Sequence, residues 1–437
     1  MIRKFKFILP LFFIISLFTS FQTNANTDPK DKVLLTILKY VLTQGHYQPQ
    51  HIDDAFSEKV YTDFLESLDP SKHYFLQSDI DEFSKYKTLI DDQINNEDLT
   101  FFFLVFERLK LRTEESKTYY KEILSNKFDF NVNETFNVDY TKTPYAKNKN
   151  DLTKIWFKQL KYSTLSRFYD KINDEDGKKK EDLNYTVKSK ETIEQEARLA
   201  TLENMNDFYE RIDELTYSDW FSTFINCISE EFDPHTTYFD PSVKKRFDIS
   251  MAGKLEGIGA RLQKKNDYTS VSELISGGPA WKQGELEVGD LIIKVAQGKE
   301  EPIDIVGMRL DDAIEYIKGK KGTEVRLTVK KIDGLTKIIT IIRDVVELEE
   351  TFVKSSVVKK DGRTFGIIDL PKFYIDFDET NFRNSATDME QEIERLKKEN
   401  VEGLILDLRN NGGGSLQTAI EISGLFINKG PIVQVKY

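Results

Sequence analysis

The chain has 437 residues, more than one hydrophobic core usually serves, so about two to four domains are expected. Its 39% hydrophobic and 31% charged residues are ordinary for a soluble protein. A net charge of −12 argues against a surface built for nucleic acid or anionic lipid.

Arg3, Lys4 and Lys6 open the chain, followed by an apolar stretch from Phe7 to Phe18 and the small pair Thr23 and Ala25. That order predicts a signal peptide over residues 1–25 and export to the periplasm. The apolar stretch is too short to span a bilayer comfortably; an uncleaved anchor is the alternative. Cys227 is the only cysteine, which excludes an intrachain disulfide and a Cys₂His₂ zinc site, and no Cys near the cleavage point offers a lipid anchor. His46, His51, His73 and His235 make no H-E-x-x-H pattern, and neither a metal nor a cofactor is expected.

From about Asp28 to Glu231 the apolar spacing is helical. Val33, Leu34, Ile37, Leu38 and Val41 fall on one face, as do Phe56, Val60, Phe64 and Leu68. Trp156, Phe157 and Leu160, then Trp220, Phe221, Phe224, Ile225 and Ile228, repeat the pattern and read as packing. Lys171 to Lys190 is charged and poor in apolar residues, as in a solvated insertion. Two segments resemble each other, LDPSKHYFLQSD from Leu68 and FDPHTTYFDPSV from Phe232. In each, Asp-Pro starts a turn and Tyr-Phe can fold back onto the core; two unrelated turns are the plain alternative.

After Phe247 the pattern changes to short β-type runs separated by Gly-rich turns. KLEGIGARLQ, YTSVSELI, DLIIKVAQG and TEVRLTVKKI read as strands, with RLDDAIEYIKG between the last two as a helix. This small β-rich domain ends near Asp344. A strand (TFGIIDL), a helix from about Ala386 to Lys398, a strand (GLILDL), a Gly loop and a helix (SLQTAIEISGLFI) follow. That alternation indicates an α/β unit, with Leu404–Leu408 as its most buried strand.

Two constellations could carry chemistry. Gly257, Ile258, Gly259 and Ala260 leave backbone N–H groups open as a nest for a carboxylate, and the strand after them could pair with an extended peptide. A plain β-turn is the alternative, and Leu262 at the third glycine position spoils a dinucleotide fingerprint. The order GIGARLQ, VSELISGGPAWKQGELEVGDLIIKV, RLDDAIEYIKGKKGTEVRLTV resembles a PDZ domain over its whole length. The resemblance implies Gly257–Ala260 as the loop that holds a partner's terminal carboxylate. It also implies Leu262 beside the last side chain, and the helix from Arg309 to Ile317 as the other groove wall.

The second constellation is Asn410–Gly414, between a strand and a helix, where glycines let a substrate approach backbone N–H groups at a positive dipole end. A phosphate or the oxyanion of acyl transfer suits that geometry, and a structural turn is the alternative. No G-x-x-x-x-G-K-[ST] accompanies it, which disfavours a nucleotide.

GLILDLRNNGGGSLQTAIEISGLFINKGPIVQVKY, GIIDLPKFYID and FDPHTTYFDP resemble segments of the tail-specific (carboxy-terminal processing) serine proteases, peptidase family S41. HYQPQHIDDAFSEKVYTDFLESLDPSKHYFLQSD resembles the N-terminal helical region of the long periplasmic branch. The implied architecture is multidomain α+β: a helical N-terminal domain over 26–245, a PDZ domain over 246–345, and part of an α/β (ClpP/crotonase-like) protease core over 346–437. The resemblance implies a serine nucleophile and a lysine base, both downstream of the last residue, so this polypeptide alone is expected to be inactive. Gly412 and Gly413 are the implied oxyanion-hole candidates, with Asp407 and Arg409 bracing the loop. Ser242/Lys245, Ser356/Lys359 and Ser84/Lys87 have S-x-x-K spacing, but such pairs arise by chance in charged loops; Ser415 starts a helix and is not the implied nucleophile. The implied partners are proteins with apolar free C-termini and a periplasmic adaptor, without nucleic acid or a stable membrane anchor. A non-catalytic periplasmic C-terminal-peptide-binding protein is the second expectation.

Overall fold

The computed structural model describes residues 28–377 and 383–435; the expected signal peptide lies outside the described residues. The chain divides into two compact units at Tyr238/Phe239.

The first unit is helical: α1 (Pro29–Tyr40), α2 (Asp54–Leu68), α3 (Gln77–Phe83), α4 (Ile90–Asn95), α5 (Thr100–Leu124), α6 (Lys149–Glu181), α7 (Lys190–Asp213) and α8 (Tyr217–Ser229). Side chains set the helix starts, since an oxygen at the first position satisfies an N–H that the helix leaves open. Asp53 caps α2 through Phe56 N–H, Asn148 caps α6 through Asp151 N–H, and Ser189 caps α7 through Thr192 N–H. Phe56, Val60, Phe64 and Leu68 are buried as their spacing predicts, and Phe64 packs at 5.0 Å from Phe224 of α8.

Three expectations fail here for physical reasons. Leu34 and Leu38 of α1 pack against the core, whereas Val33 and Ile37, with Val41 just past the helix, are exposed, so the buried stripe is narrower than the apolar one. Lys171–Lys190 is solvated as expected apart from Glu175, but its first half is helix rather than loop: α6 runs on to Glu181 and α7 begins at Lys190. Buried Glu175 replaces the missing apolar stripe, accepting from Lys188 N–H at 3.0 Å, the Tyr185 hydroxyl at 2.9 Å and Lys178 at 3.0 Å. Phe157 lies beside the core rather than in it, 41% exposed and edge-on to Phe128.

Asp79 is fully buried and joins α3 to α5. Burial pushes its carboxyl up, but hydrogen bonds from Arg112, the Leu76 N–H and Arg108 outweigh that and hold it below the usual carboxylate range. Arg112 grips both carboxylate oxygens, at 2.7 and 2.9 Å. Because the folded carboxyl is depressed, this contribution is present above the ordinary carboxylate range and lost as pH falls through the folded value.

The second unit opens with α9 (Pro241–Ala252), which ends at Gly253 with φ 67°. Strand β1 (Lys254–Gly257) pairs antiparallel with β8 (Asp344–Glu347). A larger sheet runs in the order β2 (Ala260–Lys265), β3 (Tyr268–Leu274), β4 (Leu291–Gln297), β6 (Glu324–Lys330), β7 (Thr336–Ile342), with β5 (Ile303–Asp304) beside β4. Helices α10 (Pro279–Gln283) and α11 (Leu310–Ile317) cover it. Alternation along β6 places Val325, Leu327 and Val329 in the core. Ile258–Gly259 splits the expected run KLEGIGARLQ into β1 and β2.

A third sheet has the order β11-β10-β9, from β9 (Lys354–Lys360), β10 (Arg363–Asp369) and β11 (Gly403–Asp407), with α12 (Ser385–Lys398) between the parallel strands β10 and β11. Helix α13 (Leu416–Gly424) follows. The most buried strand is β10, whose Ile368 lies in the core, as does Leu370 just beyond its end. In β11, Ile405 is 54% exposed, contrary to expectation, because Leu404 and Leu406 turn toward the core and Ile405 points to the opposite face.

Replacing Arg112 by Met leaves the buried Asp79 charge with fewer partners and is expected to lower stability by about 3 kcal/mol in urea unfolding at neutral pH. The difference from the native chain should shrink as pH is lowered and Asp79 is protonated.

Candidate functional site

The glycine loop is shaped by backbone contacts with the segment after β10. Phe373 N–H donates to the Gly413 carbonyl at 3.0 Å, and Ser415 N–H donates to the Phe373 carbonyl at 2.8 Å. Gly414 lies between them with φ 145°, and a Cβ there would sit 2.2 Å from the Phe373 oxygen. Asn410 precedes the glycines with φ 64°. The Asn411 amide spans the loop, donating to the Leu370 carbonyl at 2.8 Å and accepting from Gly413 N–H at 2.8 Å.

That last bond separates the two expected donors. Gly413 N–H is engaged by Asn411, whereas Gly412 is exposed and its N–H makes no hydrogen bond among the described residues. Space around Gly412 is open, with nothing within 4 Å of a notional Cβ. Ser415 caps α13, is nearly buried, and accepts from Thr418 N–H, which fits a structural role. Asp407 and Arg409 form a local pair: the guanidinium and the Arg409 N–H pull the Asp407 carboxyl down to about 2, while the Arg409 side chain is 86% exposed.

The S-x-x-K pairs are not dyads. Lys87 pairs with Glu58 and Lys245 with Glu315. Ser356 and Lys359, three apart on β9, point to opposite faces. A different contact, unseen in the sequence, brings Lys372 Nζ to 2.6 Å from the Ser250 hydroxyl. Lys372 donates there and to the Ser250 carbonyl, so it ties α9 to the loop as a donor, where a general base must accept.

At the other constellation, the Ile258 carbonyl accepts from Ala280 N–H at 2.7 Å and the Gly259 carbonyl from Ile275 N–H at 2.9 Å. With the carbonyls held, the Ile258 and Gly259 N–H groups make no hydrogen bond among the described residues. Gly259 has φ 73°, and a Cβ would come within 3.1 Å of Gly278. Beyond Ala260, β2 is an edge strand with β3 on one side only among the described residues, and Leu262 is half-buried against the core. Helix α11 packs beside β2.

Comparison with known proteins identifies the domains that hold these two loops. Residues 38–242 match the tail specific protease N-terminal domain, 247–330 the PDZ domain and 364–437 peptidase family S41. The chain carries tail-specific protease N-terminal, PDZ and peptidase S41 domains. It is 36% identical to the tail-specific protease of Haemophilus influenzae over 397 residues, covering 90% of this chain and 53% of that protein. It is 34% identical to the carboxy-terminal processing protease CtpA of Bacillus subtilis over 233 residues, covering 53% and 46%. Among solved structures it is similar to the PDZ domain of the carboxy-terminal protease from Vibrio cholerae in complex with peptide, at 46% identity, covering 22% of this chain and 99% of that one, with a TM-score of 0.21. The chain spans about half the length of the curated relatives it matches. Among the described residues no helix is long and apolar enough to cross a membrane.

The loop geometry sets a contrast between neighbouring glycines. Gly414→Ala, which combines a backbone clash with a left-handed φ, is expected to cost more than about 2 kcal/mol and to expose the loop to limited proteolysis. Gly412→Ala should leave the melting temperature and the proteolytic pattern unchanged.

Proposed function

We propose that this chain supplies the substrate-binding and oxyanion-stabilising parts of a periplasmic tail-specific serine endopeptidase. Proteins with an apolar free C-terminus add a strand to β2, their carboxylate resting on the open Ile258 and Gly259 N–H groups and their last side chain near Leu262. The observation that carries this reading is the pairing of two held carbonyls with two open N–H groups at the start of an edge strand.

At the reacting bond, a serine Oγ attacks the scissile carbonyl carbon while a neutral lysine amine takes the hydroxyl proton. Negative charge moves to the carbonyl oxygen, where the Gly412 N–H stabilises it, aided by the N-terminus of α13. Collapse expels the amine product with the proton returned by the lysine, and water then releases the acyl group. The serine and lysine lie outside the described residues in this reading, so Gly412, with Gly413 held behind it by Asn411, is one wall of the active site. Export, an adaptor and the preference for apolar termini rest on the resemblance to the family.

Two measurements test this. A labelled peptide with three apolar C-terminal residues should bind the chain roughly tenfold more tightly as the free acid than as the amide; equal affinity would remove carboxylate capture. Residues 1–437 alone should leave the same peptide intact by mass spectrometry, and cleavage by this polypeptide would show that a nucleophile lies within it.

A further inference from the structure

Carboxylate capture at Gly257–Ala260 has an electrostatic difficulty that the structure resolves. The C-terminal end of α11 borders the loop: the Lys318 Cα lies 3.9 Å, and its Cγ 3.8 Å, from where a Cβ on Gly257 would stand. A helix C-terminus carries partial negative charge and repels an anion.

Arg343 removes that obstacle. It is 2% exposed, and its guanidinium donates to the last carbonyls of α11, Ile317 at 2.9 Å and Tyr316 at 3.1 Å. The remaining donors go to Gln297 Oε1 at 2.8 Å, Thr323 Oγ1 at 3.1 Å and the Glu324 carbonyl at 3.5 Å, all neutral. No carboxylate accepts from it among the described residues, so its positive charge is not cancelled by a bonded partner. Gly319 makes room for it, since a Cβ there would lie 2.8 Å from the guanidinium carbon.

Lys318 is the next residue after α11, and its stem lies on Gly257. The acids nearest to it on α11 are already paired with bases of α9, Glu315 with Lys245 at 2.6 Å and Asp311 with Arg246 at 3.2 Å. Lys318 itself has no ion pair or hydrogen bond to its ammonium among the described residues, although it is half-buried. Burial pushes the ammonium below the ordinary lysine value, with Glu315 opposing, which is the state of a cation lacking a counter-ion.

We infer that Lys318 is the counter-ion of the peptide's terminal carboxylate, held over Gly257 by the helix end that Arg343 neutralises. The loop N–H groups fix the carboxylate's position and Lys318 supplies the charge, so Lys318 is a binding residue and Arg343 a positioning residue. This rests on the proposal that the loop takes a free C-terminus.

The test uses the whole chain and the labelled apolar peptide in acid and amide forms, followed by fluorescence anisotropy. Lys318→Met should weaken binding of the acid about tenfold while leaving the amide unchanged, which also shows that the groove remains folded. Lys318→Arg should restore most of the acid's advantage. If Lys318→Met discriminates acid from amide as well as the native chain does, the inference is overturned and carboxylate capture by the loop stands. If the native chain itself does not discriminate, both fall together.

Discussion

The glycine loop depends on a close approach of two backbones. Gly414 meets the carbonyl of Phe373 where any larger residue would collide, and this contact joins the segments leaving β10 and β11 beyond their last ladder pair, Asp369 with Asp407. The remainder follows from it. Gly413 and Ser415 are bound to Phe373, Asn411 bridges the loop to Leu370, and Gly412 is left facing outward with its N–H open. Immediately after Phe373, Tyr374 is buried in the core and its hydroxyl donates to Asp388 of α12, so the strand exit that shapes the loop is anchored to the crossover helix. A site built this way takes its form from main-chain atoms, which is why the sequence shows glycines there rather than a cluster of reactive side chains.

Much of this was legible because glycine and apolar periodicity report backbone needs directly. The three-glycine run marked the loop, and the alternating runs marked the strands of the PDZ domain. Which N–H stays open was not legible, since an Asn411 side chain decides it and asparagine before glycine is common in any turn. Lys318 and Arg343 were invisible for a similar reason: one stands among Lys318, Lys320 and Lys321, the other in an ordinary strand-end sequence. The misreading of β11 came from taking apolar composition for depth, although successive side chains of a strand point to opposite faces and Ile405 points away from the core. The continuation of α6 past Lys171 was missed for the opposite reason, because its last turns are held by ion pairs and one buried glutamate and carry no apolar stripe to reveal them.

The two similar segments LDPSKHYF and FDPHTTYF share a cause rather than a role. Asp69 accepts from the N–H groups of His73, Tyr74 and Phe75, and Asp233 accepts from His235 N–H and the Thr236 hydroxyl. In both, an aspartate just after a helix gathers the donors of the turn that follows. The first then buries Tyr74 and Phe75, while in the second Tyr238 is only half-buried. The likeness is one of capping chemistry, and the difference in burial shows that it does not extend to packing.

The two candidate anion sites show how the same donor chemistry needs different support at opposite ends of a helix. The Asn410–Gly414 loop leads into α13, so the helix N-terminus and the Gly412 N–H act with the same sign and no cation has to be built in; the nearest guanidinium, Arg409, is engaged by Asp407 and points to solvent. The Gly257–Ala260 loop lies against the C-terminus of α11, where the helix opposes an anion. A buried arginine bonded only to neutral acceptors would be a costly isolated feature. Its placement on the α11 carbonyls gives that cost a reason: it converts an unfavourable helix end into a neutral one and leaves Lys318 as a free positive charge beside the loop. On the proposed reading, binding and stabilisation of charge are separated in this chain, with one loop relying on a helix dipole and the other on side chains that correct for one.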